Sequence, residues 1–240
     1  MSKDKIIILI PAYKPGEAFL ALLNALDEKK FFHRIVVVDD GSGKNYGPIF
    51  EQTGKFNSVF LLRHDINHGK GAAMKTGFAY IEQKYPDVLG VITVDCDGQH
   101  TPEDTANLAD AIKNSPQSLV IGTRSFSGRV PLRSLAGNRF TSFLMRVLFG
   151  VWIHDTQSGL RAIPHSLISG ILSLPGERYE FELEMLLHAL HTKRHIHEVP
   201  ISTIYERGNP TSHFRPFADS VKIYKRIFHY AFFKKKKAEK

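Results

Sequence analysis

The stretch VITVDCDGQH, Val91 to His100, is a run of β-forming apolar residues that stops at two carboxylates, Asp95 and Asp97, with Gln99 and His100 just beyond. Oxygen-rich groups at alternate positions past a strand end suit a hard divalent cation, Mg2+ or Mn2+, that bridges phosphates. A solvated turn that caps the next helix uses the same residue types. A second acidic pair, Asp39 and Asp40, stands in VVVDDGS. If both pairs lie at neighbouring strand ends they repel each other, unless a cation or a donor-rich ligand sits between them. A nucleotide with a metal-bound diphosphate supplies both. Asp39 or Asp40 would accept from the N–H groups of a base, while Asp95, Asp97 and Gln99 would hold the metal against the diphosphate.

The elements that must position these groups can be read from apolar patterning. Ile6 to Ile10, Ile35 to Val38, Val59 to Leu62, Val88 to Val94 and Leu119 to Ile121 are short continuous runs of Ile, Val and Leu. Such runs mean strands buried on both faces. Helical patterns lie between them, clearest at Glu17 to Lys29 and at Pro102 to Lys113, the second opened by Thr101 as N-cap. The alternation predicts an α/β fold, a mostly parallel sheet with helices on both faces, with ligands bound beyond the carboxyl ends of the strands. Pro11 and Tyr13, Asp39 to Ser42, Asn67 to Gly71, and Asp95 to Gln99 would then share one crevice. NHGKGAAMKTGF is not a phosphate loop of the Walker type, because Gly71 follows Lys70 where that motif needs Ser or Thr.

Size and charge narrow the partners. The chain has 240 residues, 42% of them hydrophobic, enough for one sizeable core. Thirty-two basic against twenty-four acidic side chains give a net charge of +8 and imply an anionic partner. The single cysteine, Cys96, excludes an intrachain disulfide and fits a reducing compartment. The N-terminal MSKDKIIILIPAYK reads as a first strand, not a signal peptide. Beyond Gly122 the chain becomes dense in Arg, Ser and Gly, then passes through an apolar helix candidate, Phe140 to Trp152. Arg178 to Leu190 is a further helix, and His195 to Ile204 an edge strand. Residues 216–240 read as an amphipathic basic helix or tail after a domain spanning 1–215; packing on the protein and lying on a membrane both suit it.

Taken in order, IPAYKPGE, VVVDDGS, NHGKGAAMKTGF, VDCDGQH, GTR (122–124) and DTQSGLR (155–161) resemble the inverting family 2 glycosyltransferases of GT-A fold, most of all the polyprenyl-phosphate or dolichyl-phosphate mannose and glucose synthases. The resemblance covers roughly residues 5 to 220. It implies that Asp95, Asp97 and Gln99 bind the metal and the donor diphosphate. It also implies that Pro11, Tyr13, Glu17 and Asp39 or Asp40 contact the nucleotide of a GDP- or UDP-hexose, and that Lys70 lies near the donor. The opening Pro-Ala-Tyr-Lys-Pro-Gly-Glu departs from the usual Pro-(Ala/Thr)-Tyr-Asn-Glu at the position of Glu17.

The resemblance also accounts for the basic second half. A lipid phosphate acceptor is already ionised, so no general base is needed. Arg124, Arg139 and Arg215 match family positions for acceptor-phosphate ligands, and forked guanidinium geometry suits a phosphate. Asn138 would assist them. Asp155 and Gln157 would orient the diphosphate or the sugar. Glu184 matches a family carboxylate, while Glu180 and Glu182 read as an exposed helical face. The acceptor implied is polyprenyl phosphate, reached by a cytoplasmic enzyme held peripherally on the inner face of a membrane through the Phe140 to Trp152 helix and the lysine-rich tail. The alternative within the family is a glycan hydroxyl acceptor in cell-envelope polysaccharide synthesis, with Asp155 as base. A different class is a nucleotide-responsive binding module without turnover. Nucleic acid is not an expected partner, since aromatic-plus-basic motifs are missing outside the tail.

Overall fold

A computed structural model describes residues 5–124, 132–202 and 224–234. Its centre is a seven-stranded sheet formed by β1 (Ile6–Ala12), β2 (Arg34–Asp39), β3 (Val59–Arg63), β4 (Gly90–Thr93), β5 (Leu119–Arg124), β6 (Arg161–Pro164) and β7 (Ile196–Ile201), in the order β3-β2-β1-β4-β6-β5-β7. β1 pairs in parallel with both β2 and β4, Ile8 lying opposite Ile35 on one side and Ile92 on the other. Only β6 runs against its neighbours, between β4 and β5. The mostly parallel sheet expected from the apolar runs is present.

Alternate residues of the central strands enter two separate cores, as the period of a strand requires. Ile7, Leu9, Val36, Val38 and Val91 face α3 (Lys70–Lys84), α6 (His165–Leu172) and α7 (Glu180–His191), burying Met74, Phe78, Ile168 and Phe181. Ile6, Ile8, Ile10, Ile35, Val37 and Ile92 face α1 (Glu17–Lys29) and α4 (Pro102–Asn114), burying Phe19, Leu23, Leu26, Leu108 and Ile112. A short helix, α2 (Gly47–Glu51), bridges β2 and β3. Thr101 caps α4 as its sequence predicts, its hydroxyl oxygen accepting from the Asp104 N–H at 3.0 Å.

Three features differ from the sequence expectations. NHGKGAAMKTGF begins the fifteen-residue helix α3 and is not only a loop. DTQSGLRAI continues into a strand, β6, which enters the middle of the sheet although it opens on an arginine and ends on a proline. The apolar helix candidate extends further back than Phe140, as α5 (Leu132–Phe149).

α5 is buried on one side only. Leu144 and Met145 enter the core, whereas Phe140, Phe143 and Val147 are half or more exposed, as is much of Trp152 just beyond. The C-terminal segment 224–234 is helical and packs beside it. Ile227 and Tyr230 are buried, the Tyr224 ring meets Phe140 edge-on at 5.2 Å, and Phe228 and Phe232 stack on each other in the open. Residues 216–223 and 235–240 lie outside the described residues, and so does the boundary expected at 215. No helix among the described residues is long and apolar enough to cross a membrane.

The start of α3 is pressed onto the segment leading into α7. The Ala72 N–H donates to the Glu177 carbonyl at 3.0 Å, and a Cβ on Gly71 would stand 2.7 Å from Phe181 Cβ and 2.8 Å from the Glu177 carbonyl carbon. Gly71→Ala should therefore cost about 1–3 kcal/mol through overpacking. The measurement is the urea midpoint beside that of Gly54→Ala, whose added methyl meets nothing within 4 Å. Equal midpoints for the two variants would refute the close packing.

Candidate active site

The carboxyl ends of β1, β2 and β4 bring the predicted acidic groups to one crevice. Asp95 stands two residues past β4, and its Oδ1 accepts from Lys70 Nζ at 2.6 Å while its Oδ2 lies 3.7 Å from His100 Nε2. Lys70, the first residue of α3, also donates to Glu182 Oε1 at 3.0 Å. Burial alone would lower the Lys70 pKa, but the charges of Asp95 and Glu182 outweigh it and hold the ammonium well above the usual lysine range. Burial would likewise raise Asp95, and the charge of Lys70, with His100 alongside, holds it far below the usual carboxylate range. Asp97 is shifted upward, by burial and then by the charge of Asp95. Cys96, between them, is pushed up to about 12 by burial and by Asp95, which leaves the thiol inert at neutral pH.

Gly98, at φ +76°, turns the chain so that the Gln99 N–H donates to Asp97 Oδ1 at 3.0 Å. Gly159, whose carbonyl accepts from the Thr93 hydroxyl at 2.8 Å, lies so close that a Cβ there would be 2.4 Å from Asp95 Oδ2. Among the described residues, no group of three His, Cys, Asp or Glu side chains forms a metal cage of protein alone. The donor set nevertheless fits a hard divalent cation. Asp95 and Asp97 are oxygen donors beside a backbone cradle, and Asp97 carries a charge that burial and its neighbour disfavour and that a cation would relieve. One or two carboxylates completed by ligand phosphates is the usual arrangement for Mg2+.

The two acids after β2 divide their roles. Asp40 accepts from His64 Nδ1 and Asn67 Nδ2 at 2.8 Å each, and from the His68 and Gly69 N–H groups at 2.9 and 2.8 Å, so it fastens the loop that leads into α3. Asp39 accepts from the Ser42 N–H at 2.9 Å, well short of what a carboxylate can accept. Of the two, Asp39 has the capacity for a base. Ser42 Oγ in turn accepts from the Lys14 N–H at 2.8 Å, joining the first two strand ends, with Lys14 in the left-handed region at φ 50°. Tyr13 is half-buried beside it, Pro11 is buried within β1, and Glu17 is exposed at the first position of α1.

In the second half, Asp155 is fully buried and Arg124 holds it in a fork, Nε to Oδ2 at 2.6 Å and Nη2 to Oδ1 at 3.0 Å. Asp155 Oδ1 also accepts from the Gln157 N–H at 3.1 Å. Asn138 on α5 uses both ends of its amide, donating to the His154 carbonyl at 2.6 Å and accepting from the Thr156 N–H and hydroxyl at 2.9 Å. It is a tie between α5 and the 154–157 turn. Arg161 is buried and donates to the carbonyls of Ser158, Thr156 and Glu182. The Gln157 side chain is exposed near Gly137, and Arg139, two residues further along α5, is exposed as well. Arg215 lies outside the described residues.

One sequence expectation is overturned. Glu180 and Glu182 do not form an exposed helical face: both are buried, as is Glu184. Glu182 reaches Lys70, and Glu184 Oε1 forms an ion pair with Arg226 Nε at 2.9 Å. The signal was in EFELEML, where glutamates at every second position cannot share one face of a helix.

Residues 7–170 match the glycosyl transferase family 2 domain. The UDP-N-acetylglucosamine–dolichyl-phosphate N-acetylglucosaminyltransferase of Methanococcus voltae is 34% identical, over 84% of this chain and 87% of its own length. The polyprenol monophosphomannose synthase of Mycolicibacterium smegmatis is 27% identical, over 83% and 77%. In fold, the chain resembles glucosyl-3-phosphoglycerate synthase from Mycobacterium tuberculosis, solved in complex with Mn2+, UDP and glucosyl-3-phosphoglycerate. The TM-score is 0.70 at 15% identity, covering 95% of this chain and 80% of that one. With the acidic crevice at the ends of a mostly parallel sheet, these likenesses establish that the chain is a glycosyltransferase belonging to family 2.

Proposed function

We propose that this chain transfers a sugar from a nucleoside-diphosphate donor to the phosphate of a polyprenyl carrier. The observation that carries the reading is the state of Asp155. A hydroxyl acceptor requires a base, and the carboxylate expected for that role is buried and committed to Arg124 and the Gln157 N–H. A phosphate acceptor requires none. The relatives' names support the same acceptor class, and they include N-acetylglucosamine as well as mannose and glucose, so N-acetylglucosamine joins the two hexoses expected from sequence as a donor candidate.

In this reading Asp39 receives the base, and Asp95, Asp97 and Gln99 hold Mg2+ or Mn2+. The cation, when bound, neutralises the charge that develops on the leaving diphosphate. The chain's own residues do the rest. Asp40 fixes the loop that carries Lys70 to the diphosphate side, and the Arg124–Asp155 fork fixes the edge where the acceptor enters. An acceptor phosphate oxygen attacks the anomeric carbon, the bond to the diphosphate breaks in line, and configuration inverts. Arg139 and Arg215 are the proposed acceptor-phosphate ligands.

A polyprenyl chain does not leave its bilayer, so the crevice must be brought to a membrane surface, here the inner face. Phe140, Phe143 and Val147 on α5, with Trp152 beyond it and Phe228 and Phe232 on the C-terminal helix, form two exposed apolar faces side by side. Arg146 and Lys225 stand among them, the composition of a helix lying at an anionic interface.

Two experiments follow. Purified protein is incubated with polyprenyl phosphate, Mg2+ or Mn2+, and a panel of UDP-N-acetylglucosamine, UDP-glucose and GDP-mannose. One nucleoside diphosphate should be released together with an acid-labile glycolipid, and Asp97→Asn should lower turnover about a hundredfold or more. Transfer to a free sugar with no lipid product would overturn the acceptor assignment. Separately, Phe143→Asp with Phe228→Asp should reduce sedimentation with anionic vesicles about tenfold. Turnover on a short, water-soluble polyprenyl phosphate should stay intact, and unchanged sedimentation would remove these faces from the docking surface.

A further inference from the structure

Lys70 is one cation between two carboxylates, 2.6 Å from Asp95 and 3.0 Å from Glu182. Glu182 is nearly buried in the first turn of α7, where the helix dipole favours a negative charge. Its position is fixed independently of Lys70, because the buried Arg161 donates to the Glu182 carbonyl and Gly71 packs directly on Phe181. Asp95 is the more exposed partner and the one beside the backbone cradle of Gly159.

An ammonium and a divalent cation cannot both sit on the same carboxylate oxygens of Asp95 without strong repulsion. A metal that takes Asp95 Oδ1 displaces Lys70 from it. A buried ammonium left without a counter-ion would be costly, and Glu182 is the group in place to prevent it. We propose that Glu182 is a positioning residue that retains Lys70 in the crevice when the metal claims Asp95, so that cation and ammonium exchange Asp95 between them. The inference rests on the metal-dependent reading above and adds a role for a residue that touches neither metal nor donor. Lys70 thereby stays at the diphosphate side of the crevice in both states, and its contact with Asp95 Oδ1 holds that carboxylate oriented before the cation arrives.

The test is a double-mutant cycle on Mn2+ affinity, read by paramagnetic resonance of free Mn2+ on the whole chain without donor or acceptor. Glu182→Gln should weaken Mn2+ binding about tenfold while Lys70 is present, since the ammonium then has only Asp95, and at most about twofold in the Lys70→Met background. Lys70→Met alone should tighten binding, which keeps the idea exposed to failure even where Glu182→Gln does not fold. Equal losses from Glu182→Gln in both backgrounds would mean that Glu182 acts only as a distant charge and would overturn the proposal. So would unchanged or weaker binding by Lys70→Met. Failure of the unmodified chain to bind Mn2+ at all would instead overturn the metal reading, and this proposal with it.

Discussion

Like charges gather inside a protein only around a cation, and the crevice brings Asp95 from one half of the chain and Glu182 from the other to a single ammonium, Lys70. For that contact to form, the first turn of α3 must lie against the approach to α7 with almost no side-chain volume between them. Gly69 and Gly71 provide this, since a Cβ on Gly69 would fall 2.4 Å from the Glu177 carbonyl oxygen. Gly69 also has φ +106°, which other residues avoid, and its N–H is one of the donors to Asp40. The glycines of NHGKG thus serve helix-to-helix approach and loop anchoring, not the wrapping of phosphate that a Gly-Lys pair suggests.

The half of the crevice beyond β6 is built on the opposite principle. There a buried carboxylate, Asp155, is neutralised inside the protein by Arg124 and surrounded by side chains that are themselves tied down, Asn138 to the 154–157 turn and Arg161 to three backbone carbonyls. A forked ion pair of this kind is a scaffold, since removing either partner strands a buried charge. One side of the crevice therefore carries an excess of carboxylates, and the other is a rigid frame whose buried pair is balanced, with the exposed Arg139 beside it on α5. A nucleoside diphosphate with its metal fits the first, and an acceptor that brings its own negative charge fits the second.

Much of this could be read from residue types, and the parts that could not have identifiable physical causes. The five continuous apolar runs all became strands, four of them well buried, while β3 lies at the sheet edge with Phe60 exposed and not buried on both faces as its apolar run suggests, and α1 has the limits its apolar spacing predicts. β6 escaped because a strand that opens on a buried arginine looks polar until the carbonyls that satisfy it are in place. α3 escaped for a related reason: its two glycines and modest apolar content hide a buried face that exists because Gly71 and Gly77 let Phe181 and Leu9 approach. The choice between Asp39 and Asp40 depends on donors from residues 64 to 69, which adjacency in sequence cannot reveal. Glu182 is the instructive case. A glutamate in an amphipathic helix is ordinarily solvated, and only the position of Lys70, 112 residues earlier, makes it part of the site.

α7 connects the site to the outer surface. Glu182 points its carboxylate to the crevice through Lys70, and Glu184, two residues on, is fully buried and ion-paired with Arg226 of the C-terminal helix. Burial, with the charge of Glu184 beside it, also raises the Tyr230 hydroxyl well above the usual tyrosine range, so that ring packs as a neutral group in the core. A buried glutamate without Arg226 would be strongly destabilising, and Ile227 and Tyr230 of the same helix enter the core beside it. The pattern of exposure then has a cause. Because Ile227 and Tyr230 must face inward to bring Arg226 onto Glu184, Phe228 and Phe232 are forced outward, beside the open face of α5. The ion pair that satisfies the core is thus what turns an aromatic face toward the surroundings.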